Sequence, residues 1–509
     1  MRRRHKILLT IGLVFGLMAF VAGLYHLHLK SVNDAYLAQL VAQGEPMTLA
    51  EVLPPAVPPT ENSAAVFLQA AALLQNDTSL LQSNHPYAML PTAPGKAAAG
   101  SQQPEAVGYQ STNSWKAVAA ALVENQTALD LLGQIIAHPN LDFRFRYDAG
   151  VGDIGLYTNL HLVDLRRAEK YLTTALVSSL RHRDAISAVK YHRALLALIL
   201  ATQNQRMVVC QWVRMAMLYN TQSSLWNILQ SPDATDSELA LLQHDWEQVD
   251  FKRSNLNAMA MERVLGEIML TRYRHSTDEL EACLDLETKA RQSFLGIPGE
   301  SKSVLERIRT AGEIFLWRFW WSYPDELRSL KGFDALMGSA RLVTTNGCFH
   351  TALTNQNTAL DALHISDLPG VWESILFFND PFQSLMSQGV SAVSDTTDKM
   401  MVAETTRQMA ITAIALQRFK LAQGHFPAHL SELIPAYLTT TPLDPVDGQP
   451  LRYRLQADGN FLLYSVGKNG VDDGGNPAAS DGDSYKNYSW LSFKALDWVW
   501  PQPVIPTNP

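Results

Sequence analysis

The N-terminal end of the chain carries the feature that constrains its fold most. Residues 7–29 form an almost uninterrupted apolar run, long enough for one helix to cross the hydrocarbon core of a bilayer. Four basic residues precede the run: Arg2, Arg3, Arg4 and Lys6. Because segments rich in Lys and Arg stay on the cytoplasmic side, the sequence predicts a basic cytoplasmic tail over residues 1–6 and a transmembrane signal-anchor over residues 7–29.

The body of the chain after Lys30 is therefore expected on the periplasmic, extracytoplasmic side of a membrane that the chain crosses once. A cleaved secretory signal is the alternative, with Val21, Ala22 and Gly23 as a tolerable cleavage site. The apolar run continues past that site and lacks the usual pattern of small residues, which favours an uncleaved anchor. The body is exported under either interpretation.

Composition indicates a large globular body and argues against several classes of protein. The chain has 509 residues, 47% hydrophobic and 18% charged, which suits two or three folded domains and not a disordered chain. Its net charge is −8 and no basic patch with interleaved aromatic residues follows Lys6, so nucleic acid is not an expected partner. The cysteines Cys210, Cys283 and Cys348 lie far apart and allow at most one intramolecular disulfide.

Proline, glycine and helical periodicity divide the body into segments. The cluster at residues 54–59 contains four prolines and predicts an extended arm, because proline is excluded from helix interiors. From Trp115 to about Ser391, apolar residues recur at the three-and-four spacing of helices. The predicted domains are an extended arm and helix over 31–81, a linker over 82–113, an α-helical domain over 114–392 and a C-terminal domain over 395–500.

The helical segments resemble a helical-repeat architecture. Residues 181–184 form a short joint that predicts an antiparallel helix pair, with Asp184 as the N-cap of the second helix. No fixed repeat period is present, so we expect an irregular α-helical body within a mainly α fold. Its long helices could present a groove to a protein partner or could form a core.

The sequence contains no convincing catalytic constellation, and no catalytic residues are predicted. His182, Arg183 and Asp184 match three letters of the kinase catalytic loop, but no glycine-rich strand or D-F-G motif accompanies them. His425 and His429 have the spacing of metal ligands, yet Pro427 between them breaks the helix face that would align them. The chain is therefore interpreted as a protein other than an enzyme.

An aromatic cluster at residues 315–323 has two interpretations. It contains Phe315, Trp317, Phe319, Trp320, Trp321 and Tyr323. Tryptophan prefers a site that is apolar at one end and wet at the other, so the cluster could contact a membrane interface or a partner. Packing in the core of a helical bundle is the interpretation that we favour.

The C-terminal domain is predicted as a helix followed by a β-hairpin and an ion-binding loop. The helix ends at Gly424, and the strands 451–455 and 461–465 flank a tight turn. Glycines in the following loop permit positive φ, and the loop supplies hard oxygen atoms, which suit Ca²⁺. The predicted ligands are Asn469, Asp472, Asp473, Asp481 and Asp483. A solvated acidic turn is the alternative.

The C-terminal hundred or so residues also carry a family resemblance. The matching positions are 419–427, Leu430, Leu433, 444–445, 448–450, Tyr453 and 464–470. In this order they resemble the C-terminal domain of the major pseudopilin of type II secretion systems. The resemblance implies a helix packed on a small antiparallel sheet, with a structural Ca²⁺ in the loop after the last hairpin. The N-terminus lacks the cleavage site of prepilins, so the resemblance implies this pseudopilin-like fold and not a filament subunit.

A second resemblance covers the longer chain. Residues 44–51 and 54–58 are similar to segments of large single-pass membrane proteins of planctomycete-like bacteria. This resemblance implies an architecture and no activity.

These observations favour a membrane-anchored extracytoplasmic interaction or scaffold protein, whose helical body binds a protein partner. An accessory component of a type II secretion or pilus-like apparatus is the first alternative, and it depends on the C-terminal resemblance. A hydrolase with an unrecognised site is the second.

Overall fold

The computed structural model describes residues 2–93, 96–108, 110–147, 151–281, 311–312, 314–365, 389–477 and 495–501. In these residues the fold is mainly helical and a small antiparallel sheet lies near the C-terminus, as the sequence predicts. Within the same residues, no helix is long and apolar enough to cross a membrane. The transmembrane span predicted over residues 7–29 is therefore not confirmed by the fold.

The helices begin and end at the following residues: α1 Arg2–Ala42, α2 Leu49–Val52, α3 Ala64–Gln75, α4 Leu80–Ser83, α5 Trp115–Glu124, α6 Gln126–Gln134, α7 Val151–Arg181, α8 Ala185–Ala201, α9 Val208–Leu229, α10 Asp236–Glu247, α11 Lys252–His275, α12 Ser322–Asn346, α13 Phe349–Ala362 and α14 Thr396–Gln423. A π-helix, Trp317–Trp321, directly precedes α12. Single 3-10 turns lie at Gly100–Gln102, Ile135–Ala137 and Leu430–Leu433.

The strands are β1 Met89–Ala93, β2 Lys96–Ala99, β3 Ala106–Val107, β4 Thr112–Asn113, β5 Arg452–Leu455, β6 Phe461–Ser465 and β7 Trp498–Val499. They form the antiparallel pairs β1-β2 and β3-β4 and a three-stranded sheet in the order β5-β6-β7. The first four strands fall in residues 82–113, where the sequence predicts a linker. That segment is rich in Ala, Gly and Ser and poor in β-branched residues, so its composition gave no strand signal.

The chain divides into two compact units. The first consists of Met1–Leu53, Ala260–Met337 and Gln356–Ser394, and the second of Pro54–Met259, Gly338–Asn355 and Asp395–Pro509. In the first unit, α1 runs beside the start of α12 in the same direction. Asn33 Nδ2 donates to Glu326 Oε2 at 2.6 Å, and three residues further along α1 the Lys331 ammonium lies 5.7 Å from the Tyr36 ring.

The second unit has an apolar helical core. Its helices α7 and α8 form the predicted antiparallel pair, and the Asp184 side chain accepts a hydrogen bond from the Ser187 amide at 3.0 Å, which confirms the predicted N-cap. The long helix α14 packs against α9 and α10, and its side chains Met409 and Ile414 are fully buried. The core therefore closes around α14 from several sides.

The C-terminal sheet confirms the predicted hairpin. Strand β5 pairs with β6 in the register Arg452↔Tyr464, and Gly459 takes a positive φ of 80° in the turn between them. The helix α14 ends at Gly424, whose φ of 81° is the left-handed cap that the sequence indicates. Strand β7 adds to the other edge of β6 with Tyr464 opposite Val499.

Candidate functional site

The glycine-rich loop after β6 folds by the positive φ angles that its sequence predicts. Gly467, Gly470, Gly474 and Gly475 have φ values of 64°, 69°, 75° and 80°. A Cβ at Gly467 would lie 2.3 Å from the Leu496 carbonyl oxygen, and no shift of a side chain relieves a clash with backbone. Glycine is therefore required at Gly467 by space as well as by φ.

Two of the predicted ligands, Asn469 and Asp473, lie side by side at the exposed tip of this loop. Asn469 Nδ2 donates to Asp473 Oδ2 at 2.9 Å, and Asn469 Oδ1 accepts from the Val471 amide at 3.1 Å. Both side chains are exposed. The two residues together offer carboxylate and amide oxygens at the surface, which is the donor chemistry that Ca²⁺ takes.

The third described ligand, Asp472, points the other way and ties the loop to the sheet. Its carboxylate accepts hydrogen bonds at 3.0 Å from the Gly474 amide and from the Tyr464 hydroxyl, and it lies 3.5 Å from Arg452 Nε. These donors, with the Gly474 amide first, hold the pKa of Asp472 below its ordinary value. Asp472 is therefore an anion at neutral pH that is already largely satisfied by protein groups.

Arg452 joins this loop to the turn that precedes β5. Its guanidinium bonds Asp447 Oδ2 at 2.6 Å and lies 3.3 Å from Asp444 Oδ2. Asp444 is fully buried, and burial raises the pKa of its carboxyl. The same carboxyl accepts from the Val466 amide at 3.0 Å, so one arginine and one buried aspartate fix where the loop begins.

Asp497 holds the end of the loop through its backbone amides, and it is not among the predicted ligands. Its buried carboxylate accepts from the amides of Gly475 at 2.8 Å, Asn476 at 3.0 Å and Asp473 at 3.4 Å. Burial raises the pKa of Asp497, while these amides act in the opposite sense. Three amides of the loop thus surround one anion, which is the chain's own carboxylate.

The structure places Asn469, Asp472 and Asp473, whereas Asp481 and Asp483 lie outside the described residues. Among the residues that are described, no group of three or more His, Cys, Asp or Glu side chains could hold a metal ion. Asn469 and Asp473 fit Ca²⁺ by donor type, while Asp472 turns toward Arg452. The calcium site stays a prediction for which the described loop supplies a framework and part of the donor set.

The second unit also contains a cleft of about 390 Å³ beside the C-terminal sheet. Aromatic and proline side chains form part of its wall, namely Trp226, Pro232, Phe426, Phe461, Trp500 and Pro501. The polar lining consists of Gln230, Ser231, Gln417, Lys420 and Asn460. Lys420 is the charged member of this described lining, and its ammonium lies 4.5 Å from the centre of the Phe426 ring. A cleft that combines aromatic rings with several polar side chains can hold a ligand through both kinds of contact.

In the first unit, α1 changes character along its length. Its exposed large apolar side chains are Leu13, Leu17, Phe20, Val21, Leu24, Tyr25 and Leu27. Further along the same helix, Asn33 and Leu40 are each only 1% exposed. The later part of α1 is thus packed within the first unit, while the preceding part presents apolar side chains to the surroundings.

Buried charges hold the packed part of α1. Glu326 Oε2 accepts from Asn33 and also from Arg274 Nη2, and Arg274 donates to the Ser322 carbonyl at 2.8 Å. A turn beyond α1, Glu45 forms an ion pair with the fully buried Arg263 at 2.8 Å. Because a buried charge is costly without its partner, these pairs fix the position of α1 on α11 and α12.

A carboxylic acid lies next to this network. Burial, followed by a hydrogen bond and repulsion from Glu326, raises the pKa of Glu267 to about 9. At neutral pH Glu267 is therefore protonated and hydrogen-bonded to Glu326, and Arg274 supplies the cation beside the two residues.

No family model, curated protein or solved structure matches the chain.

Proposed function

We propose that this chain is a membrane-anchored extracytoplasmic interaction protein. The observation that carries the proposal is the exposed apolar surface of α1, which occupies residues 13–27 of a helix whose later residues are packed within the first unit. Full burial of one large apolar side chain contributes about 1.5–3 kcal/mol. Seven such side chains in water would therefore forgo stabilisation comparable with the stability of a whole domain.

A bilayer is the environment that fits this surface. The sequence of residues 7–24 is apolar on every side of the helix, and such a helix is buried in a core or in a membrane. The basic residues Arg2, Arg3 and Arg4 favour an N-terminus in the cytoplasm, which would leave the body outside.

The cleft beside the C-terminal sheet is the feature that we propose receives a protein partner. Trp226, Phe461 and Trp500 contribute aromatic rings to its lining, and Gln417 and Lys420 add polar groups that could orient a bound chain. Binding sites combine apolar contacts with polar groups that give specificity.

A role beside a type II secretion or pilus-like apparatus is the second candidate. Its support is the order of elements at the C-terminus, where α14, the β5-β6 hairpin and a glycine-rich loop follow one another as the pseudopilin resemblance implies. In this proposal the loop binds a structural Ca²⁺, with Asp481 and Asp483 completing the donors of Asn469, Asp472 and Asp473.

The anchor is tested with the full chain in bacterial membranes. Carbonate extraction should leave the chain in the pellet, and a reporter that works only in the cytoplasm should be inactive when fused after Pro509. Leu13→Lys with Leu17→Lys should release the chain, because each charge at a helix centre costs about 2.5–3.5 kcal/mol in the bilayer. Ile186→Lys, at a 75% exposed position of the second unit, is the matched control and should stay in the pellet.

Carbonate release of the unaltered chain would reject the anchor. Retention in the pellet with an active cytoplasmic reporter would instead show that α1 attaches the chain without exporting it. For the partner, photo-crosslinking from Phe461 compared with Val123, which is exposed elsewhere in the second unit, tests the cleft directly. Equal adducts from both positions would reject the cleft as the binding surface.

A further inference from the structure

The π-helix before α12 and the helical residues 314–316 directly before it carry an apolar patch on the surface of the first unit. We name it the aromatic patch, and it consists of Phe315, Leu316, Phe319 and Trp320. Phe315 is 58% and Phe319 50% exposed, and their ring centroids lie 4.7 Å apart. Leu316 and Trp320 are also exposed. The core packing that we favoured from the sequence is confirmed for Trp317, which is fully buried, and is wrong for the patch residues.

Two residues within the patch segment, Trp317 and Arg318, are fixed by packing and hydrogen bonds. Trp317 packs with Leu270, Tyr273 and Ile314, and its indole Nε1 donates to Asp325 Oδ2 at 3.3 Å. Arg318 next to it donates to the Tyr273 carbonyl through Nε at 3.2 Å. Because Trp317 and Arg318 are held in this way, the neighbouring rings of the patch are left exposed. A π-helix is rare and frequently marks a functional site.

The position of the patch is set by its contacts with α1. The Tyr25 and Trp320 rings lie 5.8 Å apart, and His26 Nδ1 donates to the Phe319 carbonyl at 2.8 Å. These partners lie at the outer end of the apolar run at residues 7–29. The patch thus lies beside the exposed apolar surface of α1 at Tyr25.

The direction of the helices places part of the patch deeper than Tyr25. Successive contacts pair His26 with Phe319 and Asn33 with Glu326, so α1 and the π-helix with α12 run in parallel. Phe315 and Leu316 precede Trp320 by about one turn, or roughly 5–6 Å along the axis. They therefore lie toward the N-terminal, apolar part of α1.

We propose that the aromatic patch inserts into the boundary between head groups and acyl chains of the outer leaflet, beside the anchor. This inference rests on the proposed membrane anchor, since α1 brings the patch to the bilayer. Aromatic rings with a polar neighbour prefer this depth, and His26 and Arg318 supply polar groups at the same level. With a second contact, the first unit is held against the membrane and does not swing on a single helix.

The test uses the photo-reactive residue p-benzoylphenylalanine in the full chain, reconstituted in vesicles of phosphatidylethanolamine and phosphatidylglycerol. Phe319 is replaced in one sample and Phe315 in a second, so that a failure of one variant to fold does not decide the result. Leu17 reports the anchor, and Ile186 is the exposed apolar control in the other unit. We expect lipid adducts at 319 or 315 within about threefold of the yield at 17, and none above background at 186.

Lipid adducts at 17 with none at 319 or 315 would overturn the patch and leave the anchor standing. Adducts at none of the three positions would overturn both proposals. Adducts to a protein in place of lipid at 319 and 315 would overturn the assignment of lipid as the occupant.

Discussion

The two units of this chain differ in how their exposed apolar side chains are distributed. In the first unit, exposed large apolar side chains are contiguous, extending from Leu13 to Leu27 on α1 and through the aromatic patch. In the second unit they are scattered, as at Val123 and Ile186. Single exposed apolar residues are normal on a soluble surface, whereas contiguous ones mark a binding or membrane surface.

The inner packing of the two units differs as well. Helix α1 contacts α12 through buried polar groups such as Asn33 and Glu326, whereas residues 409–416 of α14 are packed mainly by apolar side chains such as Ile414. A polar contact has a fixed geometry, while apolar contact is non-directional. The polar contacts of the first unit therefore set the orientation of α1.

The largest effect is expected from breaking the charged network of the first unit. Arg274→Met should leave the Glu326 carboxylate buried without its cation, at a cost of about 3–5 kcal/mol. Hydrogen exchange of peptides from residues 260–275 and 322–337, the parts of α11 and α12 in the first unit, would report this loss separately from the second unit. Lys30→Met removes the cation of an exposed pair with Asp34 and is the matched control, with no measurable change expected. Equal protection in both variants would show that the buried network does not hold α1.

The next effect compares apolar truncation on the two long helices. Leu416→Ala on α14 removes a fully buried side chain and should cost about 2–5 kcal/mol. Leu17→Ala on α1 removes a side chain that is 65% exposed and should leave the unfolding free energy in detergent unchanged. Denaturant unfolding of both variants makes the comparison. Similar losses would mean that α1 is packed against protein over residues 13–27.

Local signals account for what the sequence predicted correctly. The joint before Asp184, the end of α14 at Gly424 and the turn at Gly459 each depend on a few neighbouring residues. Such signals are read from the chain because capping and positive φ are properties of one or two positions.

Long-range partners account for what the sequence missed. Asp497 bonds amides that lie 21 to 24 residues earlier, and Asn33 meets Glu326 at a separation of 293 residues. No spacing rule links such positions, because tertiary packing alone brings them together. The same reason explains the aromatic patch, since periodicity does not show which rings of residues 315–323 face inward.

The pH dependence of the two units should have opposite signs. The pKa of Glu267 in the folded first unit is about 9 and its ordinary value is 4.5. The folded unit therefore keeps a proton that the unfolded chain releases, and this unit should lose stability as the pH rises from about 4.5 to about 9. Burial lowers the pKa of His192 in the second unit to about 3 from 6.5, so that unit should lose stability as the pH falls below 6.5.

Calorimetry between pH 5 and pH 9 checks this prediction. Glu267→Gln should reduce only the loss of stability at alkaline pH. His192→Gln should reduce only the loss of stability at acidic pH. Glutamine at 192 keeps an acceptor for Trp246 Nε1, which donates to His192 Nε2 at 3.0 Å. Unchanged profiles in both variants would mean that other groups set the pH dependence.

The smallest effect concerns the glycine-rich loop of the second unit. If the loop binds Ca²⁺, then Ca²⁺ at about a hundred times its Kd should stabilise this unit by about 2.7 kcal/mol. The measurement is the Tm of the full chain in Ca²⁺ and in chelator. Asp472→Ala with Asp473→Ala should abolish the difference between the two conditions. The difference is the proper readout, because loss of the contact between Asp472 and Arg452 lowers the Tm in both conditions alike.

Asp458→Ala removes an exposed carboxylate from the neighbouring hairpin turn and should preserve the difference. No effect of Ca²⁺ on the unaltered chain would reject the site, and a full effect in the double variant would transfer the ligand role to Asp481 and Asp483.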